Sequence, residues 1–221
     1  MKIVTVEEMR KLETDTVRAG ISLDTLMEEA GFNVALKSKQ IIETKKDPSV
    51  LVIVGSGNNG SDGLVAARYL HEWGIRVHIY ICGVRKQPDQ KLKLLENQGV
   101  ESITSSEDNG YETLKHFLST STIIIDAILG IGSNRSIKGS IKEILGCVKK
   151  AREVNPAKIV AIDTTTGLDA NTGIVDPSCV GASTTIALGY PKIGHFTLPG
   201  ASVTGEIHIA KIGIYPNLDR D

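Results

Sequence analysis

One stretch limits the possible folds of this chain more than any other: an apolar run that leads into a cluster of glycines. Val50–Val54 has the pattern of a buried strand, Gly55–Gly63 reads Gly-Ser-Gly-Asn-Asn-Gly-Ser-Asp-Gly, and Leu64–Trp73 has helical apolar spacing. Glycine lacks a Cβ and lets a backbone approach a ligand closely, and the amides that open a helix point at whatever binds there. The stretch therefore predicts a strand–loop–helix unit with a ligand-binding loop.

The remaining patterns predict a single α/β domain over residues 1–221, with a helical opening and a mostly parallel sheet. Helical spacing covers Thr5–Ala19, including Val17 among its apolar positions, and a second helix starts after Ser22. Beyond the first βα unit, the predicted strands are Arg76–Ile81, Val100–Thr104, Thr122–Ile125, Lys158–Ile162, Thr184–Leu188, Phe196–Leu198 and Glu206–Ile212, and the predicted helices are Gln87–Gln98, Tyr111–Ser119 and Ile137–Val154.

Composition argues against several classes of function. A net charge of −1 and a pI near 6.5 give no electrostatic attraction to nucleic acid or to an anionic membrane. The three cysteines lack metal-ligand spacing and the look of a disulfide framework. No apolar run reaches membrane-spanning length. We predict a cytoplasmic protein with neither a nucleic acid nor a membrane as its partner.

Polar residues follow three of the predicted strands. Asp126 follows Thr122–Ile125, Asp163 follows Lys158–Ile162, and the glycine-rich loop carries Asn59 and Asp62. Ligands of open parallel sheets bind outside the carboxyl ends of the strands, so these groups are expected to share one cleft. Each has a plainer explanation as a tight turn, a helix-end charge or a solvated strand end, and the prediction depends on their combination.

The glycines Gly55, Gly57 and Gly60 also match the spacing G-x-G-x-x-G of dinucleotide sites. Such sites place a carboxylate at the end of the next strand for the ribose hydroxyls. Here that strand ends in Ile81-Cys82-Gly83, without one. An ordinary NAD-dependent dehydrogenase is therefore disfavoured, although a nucleotide could bind in another pose.

Two chemical interpretations of the polar cluster remain open. Asn59, Asp126 and the Thr166 hydroxyl offer oxygen ligands only, which suit an alkali or alkaline-earth cation. Without a cation, one carboxylate could titrate high and act as an acid or base. The histidines in predicted helices and strands are expected to be structural, whereas His195 lies in a predicted loop and stays a candidate. Lys192 is expected to be an exposed charge, with a contact to phosphate as the alternative.

Four segments of the chain resemble the NAD(P)HX epimerase family, also called the YjeF N-terminal domain family. They are Leu26–Gly31, Gly57–Gly63, Asp126–Gly132, and Asp163 together with Gly167–Gly173. The resemblance covers nearly the whole chain. It implies a Rossmann-like three-layer α/β/α sandwich, commonly dimeric, that interconverts the R and S forms of hydrated NADH and NADPH. It also implies a fused or separate ADP/ATP-dependent dehydratase that acts on the S form.

The same resemblance implies roles for individual residues. Asn59, Asp126 and Thr166 match potassium-binding positions, so K⁺ is the expected cofactor. The positions expected to contact the damaged nucleotide are Asn58, Asn59, Gly60, Ser61, Asp62, Gly130, Ile131, Gly132, Ser133, Asn134, Arg135, Ser136 and Asp163. From its strand-end position beside the glycine loop, we assign Asp163 as the catalytic acid/base.

The chain departs from the family pattern in two places. Asp163-Thr164-Thr165-Thr166-Gly167 stands where Asp-Ile-Pro-Ser-Gly is usual, and Ser61 stands where a glycine is common. Thr166 keeps a hydroxyl for a cation, whereas the turn without proline is expected to be looser. A non-catalytic binding or scaffold module of the same fold is therefore the alternative hypothesis.

Overall fold

The fold is built on one parallel sheet. A computed structural model describes residues 2–132 and 136–214. Its strands are β1 (Ser49–Val54), β2 (Arg76–Ile81), β3 (Glu101–Thr104), β4 (Ile123–Ala127), β5 (Lys158–Ile162), β6 (Thr184–Leu188) and β7 (Glu206–Ala210). They lie in the order β3-β2-β1-β4-β5-β6-β7, and every neighbouring pair is parallel. The predicted sheet, described as mostly parallel, is confirmed.

Helices cover both faces of this sheet. They are α1 (Val6–Arg18), α2 (Leu23–Ile42), α3 (Asn58–Glu72), α4 (Gln90–Asn97), α5 (Glu112–Thr120), α6 (Gly139–Val154) and α7 (Ala201–Thr204), with short 3₁₀ turns at Asn109–Tyr111 and Ile193–His195. Alternate residues of β1 point to opposite faces. Val52 packs in a core with α2, α3 and α4, whereas Ile53 packs in a second core with α5 and α6. This arrangement is the predicted three-layer sandwich.

The helical starts follow capping chemistry in α1 and α2. The Thr5 hydroxyl accepts from the Glu8 N–H while the Glu8 carboxylate accepts from the Thr5 N–H, and Ser22 caps α2 by accepting from the Thr25 N–H. These reciprocal bonds satisfy amides that have no partner inside the helix. The two opening helices are therefore specified locally.

Several predicted boundaries are wrong. Helix α3 begins at Asn58, so much of the predicted glycine-rich loop is helical, and α6 begins only at Gly139. Phe196–Leu198 is not a strand but continues a 3₁₀ turn toward Pro199. Val17 is exposed, because Thr16 fills the buried position and donates its hydroxyl to the Leu12 carbonyl at 2.7 Å.

The sheet has a topological switch point between β1 and β4. After β1 the chain moves outward to β2 and β3, and after β4 it moves to β5, β6 and β7 on the other side. Connections that diverge from two adjacent strands leave a crevice at their carboxyl ends. None of the described helices is long and apolar enough to cross a bilayer.

Candidate functional site

A cleft of about 420 Å³ lies at the carboxyl ends of the central strands. It is bordered by the start of α3, the segment after β4, one face of α1 and the residue that follows β5. Its lining consists of Arg10, Glu13, Ser56, Gly57, Asn58, Asn59, Asp62, Ile128, Leu129, Gly130, Ile131, Gly132, Asp163 and Leu188. The volume is in the range of small-molecule sites.

The start of α3 forms one wall of the cleft. Gly57 is its N-cap and supplies no side-chain hydrogen bond, so the first-turn amides keep their donor capacity. Asn59 is 8% exposed, and both polar atoms of its side chain lack a hydrogen-bond partner. A buried amide without partners is costly, and its position in the cleft wall makes it a candidate ligand-binding group.

Glycine is required at two positions of the loop for steric reasons. A Cβ on Gly55 would stand 1.9 Å from the Ile128 carbonyl oxygen, and one on Gly60 would stand 2.1 Å from the Gly55 carbonyl oxygen. A Cβ on Gly57 would meet nothing within 4 Å. The first and third glycines of the pattern therefore serve backbone packing, whereas the second borders the open cleft.

Buried Arg85 fixes the glycine-rich loop by hydrogen bonds. Its guanidinium donates to the Gly55 carbonyl, to the Ser61 hydroxyl at 3.1 Å and to the Asp89 carboxylate at 2.6 Å. Ser61 therefore faces this arginine and does not line the cleft. Arg85 was not predicted from the sequence, because a single arginine after β2 carries no signal of burial.

Asp126, the fourth residue of β4, organises the turn after β5. Its carboxylate accepts from the Thr166 N–H at 2.8 Å and from the Thr166 hydroxyl at 2.6 Å, and the Thr165 hydroxyl lies at 3.5 Å. The Thr166 oxygen also accepts from the Leu129 N–H at 3.1 Å. The turn that lacks the family's proline is therefore fixed by hydrogen bonds to a buried carboxylate.

Burial raises the pKa of Asp126, and the hydrogen bonds from Thr166, Ile128 and Thr165 oppose that rise. Asp126 forms no ion pair with any described residue. Asn59 lies against Gly130, two residues beyond Ile128. The segment 128–130 therefore contacts each of the three predicted potassium ligands: Asp126, Thr166 and Asn59.

Asp163 sits at the base of the cleft in a left-handed backbone conformation, with φ at +64°. This conformation is uncommon for a residue with a side chain and is typical of functional sites. Its Oδ1 accepts from the Leu188 N–H at 3.0 Å and from the Lys192 ammonium. Oδ2 has no protein partner in the described part of the chain, which leaves it available to a ligand.

Lys192 is fully buried, so the prediction of an exposed charge is wrong. Its ammonium pairs with Asp163 and also donates to the Leu188 carbonyl at 3.0 Å. Its backbone forms a parallel bridge to Val4, at the start of the chain. Nothing in its local sequence distinguishes it from a surface lysine, because its partner lies 29 residues away.

His195 is buried next to the backbone of Lys192. Burial lowers the pKa of His195 to about 4, so it is neutral at physiological pH. Its Nδ1 accepts from the Lys192 N–H at 3.3 Å, and its Nε2 has no hydrogen-bond partner. A buried neutral imidazole in this place supports the turn that carries Lys192.

Two further carboxyl groups face Asp163 across the cleft. Burial, together with repulsion from Asp163 and Glu13, raises the pKa of Asp62 well above its ordinary value. Burial and repulsion from Asp163 raise the pKa of Glu13, which projects from α1. The carboxyl groups of the site therefore have different surroundings. Such differences let one carboxyl group act as a proton donor and another as a proton acceptor.

The predicted nucleotide contacts divide into four groups. Those that line the cleft are Asn58, Asn59, Asp62, Gly130, Ile131, Gly132 and Asp163. Gly60 and Ser61 pack toward Arg85, and Ser136 lies on a separate cavity of about 270 Å³ beyond Leu129. Ser133, Asn134 and Arg135 fall outside the described residues. Arg10 and Glu13 line the cleft but were missed, because only the folded chain brings α1 beside the sheet.

Described residues contain no group of three or more histidine, cysteine, aspartate or glutamate side chains that could hold a metal ion. This excludes a zinc-type cluster among them but leaves the mixed oxygen set of Asn59, Asp126 and Thr166 unaffected. That set has one carboxylate, one amide and one hydroxyl, which suits a weakly bound hard cation.

Fold and cleft together define an α/β protein with a polar small-molecule site at the switch point of a parallel sheet. Residues 23–194 match the family model described as YjeF-related protein N-terminus. The chain belongs to this family.

Curated relatives cover nearly the whole chain. NAD(P)H-hydrate epimerase of Oenococcus oeni is 32% identical over 90% of both chains, and that of Elusimicrobium minutum is 33% identical over 97% of this chain and 96% of the relative. A bifunctional NAD(P)H-hydrate repair enzyme, Nnr, of Thermofilum pendens is 30% identical over 98% of this chain and 41% of its own length. The crystal structure of yeast ynu0 superposes with a TM-score of 0.79 at 27% identity, covering 95% of this chain and 87% of the yeast chain.

Proposed function

We propose that this protein is an NAD(P)H-hydrate epimerase, an isomerase that interconverts the R and S epimers of hydrated NADH and NADPH. Full-length similarity to enzymes of that name supports the proposal. The observation that carries it is the state of Asp163, which lines the cleft: one oxygen is fixed by Lys192 and the Leu188 N–H, and the other has no partner among the described residues.

The substrate's chemistry requires a proton carrier. The carbon to be inverted bears a hydroxyl and is bonded to the ring nitrogen, and no carbonyl acidifies its C–H bond. Inversion therefore proceeds by breaking the C–O or the C–N bond and re-forming it on the other face. In the C–O route, a carboxyl group protonates the hydroxyl, which leaves as water while the nitrogen lone pair forms C=N. Water then adds to the opposite face and gives one proton to a carboxylate, so one proton is consumed and one is released in each turnover.

Asp62 and Asp163 are suited to share this work. The raised pKa of Asp62 favours its protonated form, which can donate to the departing hydroxyl. Asp163 is held by a buried ammonium and keeps Oδ2 open to accept a proton from the attacking water. General acid–base catalysis of this kind contributes roughly 10²–10⁴-fold in rate.

The first prediction tests Asp163. Asp163→Asn should lower the rate of epimerisation by roughly 10²–10⁴-fold, measured with the R epimer of hydrated NADH and an S-specific dehydratase as the coupling enzyme. Stabilisation by ADP-ribose in a thermal shift should be mostly retained, because the asparagine still fills the site. Unchanged turnover would reject the assignment.

A control separates catalysis from folding. Asp163→Asn leaves the Lys192 ammonium buried without an ionic partner, which destabilises a protein. The double variant Asp163→Asn with Lys192→Met removes both charges, and should melt closer to the wild type while staying inactive. Activity in the double variant would show that Asp163 is not the proton carrier.

We further propose that Asn59, Asp126 and Thr166 hold K⁺. The unpartnered amide of Asn59 and the buried carboxylate of Asp126 lack the compensation that a cation would give them. Thr166 donates its proton to Asp126 and accepts from the Leu129 N–H, which leaves one lone pair of its oxygen for a cation. When bound, K⁺ would neutralise local negative charge and fix the turn that follows Asp163.

The second prediction concerns this cation. KCl should raise the melting temperature more than LiCl or choline chloride at equal ionic strength, because a potassium-specific site binds only the folded state. Asn59→Ala should remove that difference. Asn58→Ala, a neighbouring change at an exposed amide, should keep it. Equal stabilisation of the wild type by all three salts would contradict a potassium site.

The product is proposed to pass to a second repair activity. The relative from Thermofilum pendens is a bifunctional repair enzyme of which this chain matches 41%, so a fused or separate dehydratase is the expected partner. Homodimer formation stays a prediction.

A further inference from the structure

The first helix contributes side chains to the cleft although it precedes the segment 23–194 that matches the family model. Arg10 and Glu13 lie three residues apart on α1, so they project from one face of the helix. Both line the cleft opposite the start of α3. The site therefore has a wall that the motif-bearing loops do not supply.

Charge is unevenly distributed over this cleft. Glu13, Asp62 and Asp163 place three carboxyl groups together, as their mutual repulsion indicates. Of the described residues that line the cleft, Arg10 carries the single positive charge. It lies at the edge, where a Cβ on exposed Gly132 would stand 3.5 Å from its Nη2 atom.

The Arg10 guanidinium is not engaged elsewhere. It makes no ion pair or hydrogen bond with the residues that the structure describes, and Arg10 is exposed. Glu7 and Glu13, one turn before and after it, interact with it electrostatically, and the Glu7 carboxylate accepts from the Asn171 amide at 3.1 Å. Arg10 thus has two acidic neighbours but no direct partner among the described residues, and it faces the same space as the first-turn amides of α3.

We propose that Arg10, together with the first-turn amides of α3, binds the diphosphate of the dinucleotide substrate. Guanidinium groups and helix N-termini are both complementary to phosphate, and the unpartnered Asn59 side chain marks this wall as a ligand surface. The described lining near Asp163 offers a diphosphate carboxyl groups and no cation, whereas Arg10 lies beside exposed Gly132, so the diphosphate lies at the edge and the hydrated ring points toward Asp163. This inference rests on the proposed function.

The test compares Arg10→Ala with Lys11→Ala, which removes the same charge from an exposed position that does not line the cleft. Binding of ADP-ribose is measured by calorimetry, with adenosine as a probe that lacks phosphate. Arg10→Ala should weaken ADP-ribose binding about 10- to 100-fold, since a charge-assisted contact is lost. Lys11→Ala should change the affinity less than about twofold, and adenosine should not distinguish the variants.

Kinetics give a second readout. Arg10→Ala should raise KM for hydrated NADH about tenfold or more and leave kcat within about twofold, because a diphosphate contact is the same in the ground and transition states. Arg10→Lys should fall between the wild type and the alanine variant, since lysine keeps the charge but not the two-pronged geometry. Circular dichroism should give one melting temperature for all four proteins.

The outcomes separate this inference from the proposed function. If Arg10→Ala matches the wild type in ADP-ribose affinity and in KM, the inference is wrong and the epimerase proposal stands. If the wild type binds ADP-ribose through Arg10 but does not epimerise hydrated NADH, the proposed function is wrong and the diphosphate site stands. A wild type that does not bind ADP-ribose overturns the inference.

Discussion

At the scale of single residues, Asp62 illustrates the cost of a site rich in carboxyl groups. It is buried in the second turn of α3, faces Glu13 and Asp163, and has only a distant favourable charge in Lys91. Its pKa is raised in the folded state, so unfolding at neutral pH releases a proton. The free energy of unfolding therefore falls as the pH rises above the ordinary aspartate value near 4.

The third prediction follows from this linkage. Asp62→Asn should raise the melting temperature at pH 8 by a few degrees, typical of a change on the order of 1 kcal/mol, and should change it little at pH 4. Scanning calorimetry across this range gives the measurement, with Glu107→Gln, a change at an exposed carboxyl group, as the control. A variant less stable than the wild type at pH 8 would show that the Asp62 carboxyl has a favourable partner.

Residues differ in how far their roles could be predicted from sequence. Asp126 and Asp163 were placed at one edge of the sheet because each follows an apolar strand, and strand direction fixes where the ends lie. Lys192 and Arg85 contact partners distant in sequence, and Arg10 borders the cleft only because the folded chain brings α1 beside the sheet, so no local pattern reports their positions. Backbone topology places Asp163 in the cleft as expected, whereas Asp126 does not line the cleft and instead binds the turn at Thr166.

At the scale of elements, the connection from β1 to α3 combines steric and functional glycines. Gly60 lies between the Gly55 carbonyl and Arg85, where a Cβ would overlap with both. Gly57 has open space around it and φ at −94°, which any residue adopts. The two positions look alike in the motif and have different physical reasons for glycine.

The fourth prediction compares these two positions. Gly60→Ala should destabilise the protein by about 1–3 kcal/mol, as overpacking does, whereas Gly57→Ala should lie within about 0.5 kcal/mol of the wild type. Chemical denaturation measures both. Because Gly57 borders the cleft, its alanine variant should still raise KM for the hydrated nucleotide, and equal losses of stability in both variants would contradict the steric explanation.

Elements also show where local propensity was overridden. The alternation of strands and helices was predicted correctly, because packing on both faces of the sheet requires the apolar periodicity that the sequence shows. The start of α3 at Asn58 was not predicted, because glycine and asparagine are poor helix formers in isolation. Glycine in this helix instead allows α3 to pack closely on β4. A Cβ on Gly63 would stand 2.5 Å from the Cβ of Ala127.

At the scale of the whole molecule, stability is concentrated in the middle of the sheet. Every residue of β1 and β4 is buried, whereas β3 lies at an edge and is partly exposed. Strands with more buried contacts open only with the whole fold, and edge strands open locally.

The fifth prediction is a gradient of amide exchange. Amides in β1 and β4 should exchange at least about tenfold more slowly than those in β3, because they require global unfolding. Hydrogen–deuterium exchange with mass spectrometry of the full chain measures this. Protection in β3 equal to that in β1 would mean that another surface covers this edge, as a dimer would.

The bridge between Val4 and Lys192 has a consequence for biosynthesis. Val4 donates to the Pro191 carbonyl at 3.0 Å and accepts from the Ile193 N–H at 3.3 Å. The pairing partner of Val4 is therefore made much later than Val4 itself, and the nascent chain cannot complete this part of the fold before residues 191–193 have been synthesised. Any chaperone that meets this polypeptide during synthesis encounters α1 without the neighbours that bury Met9 and Leu12.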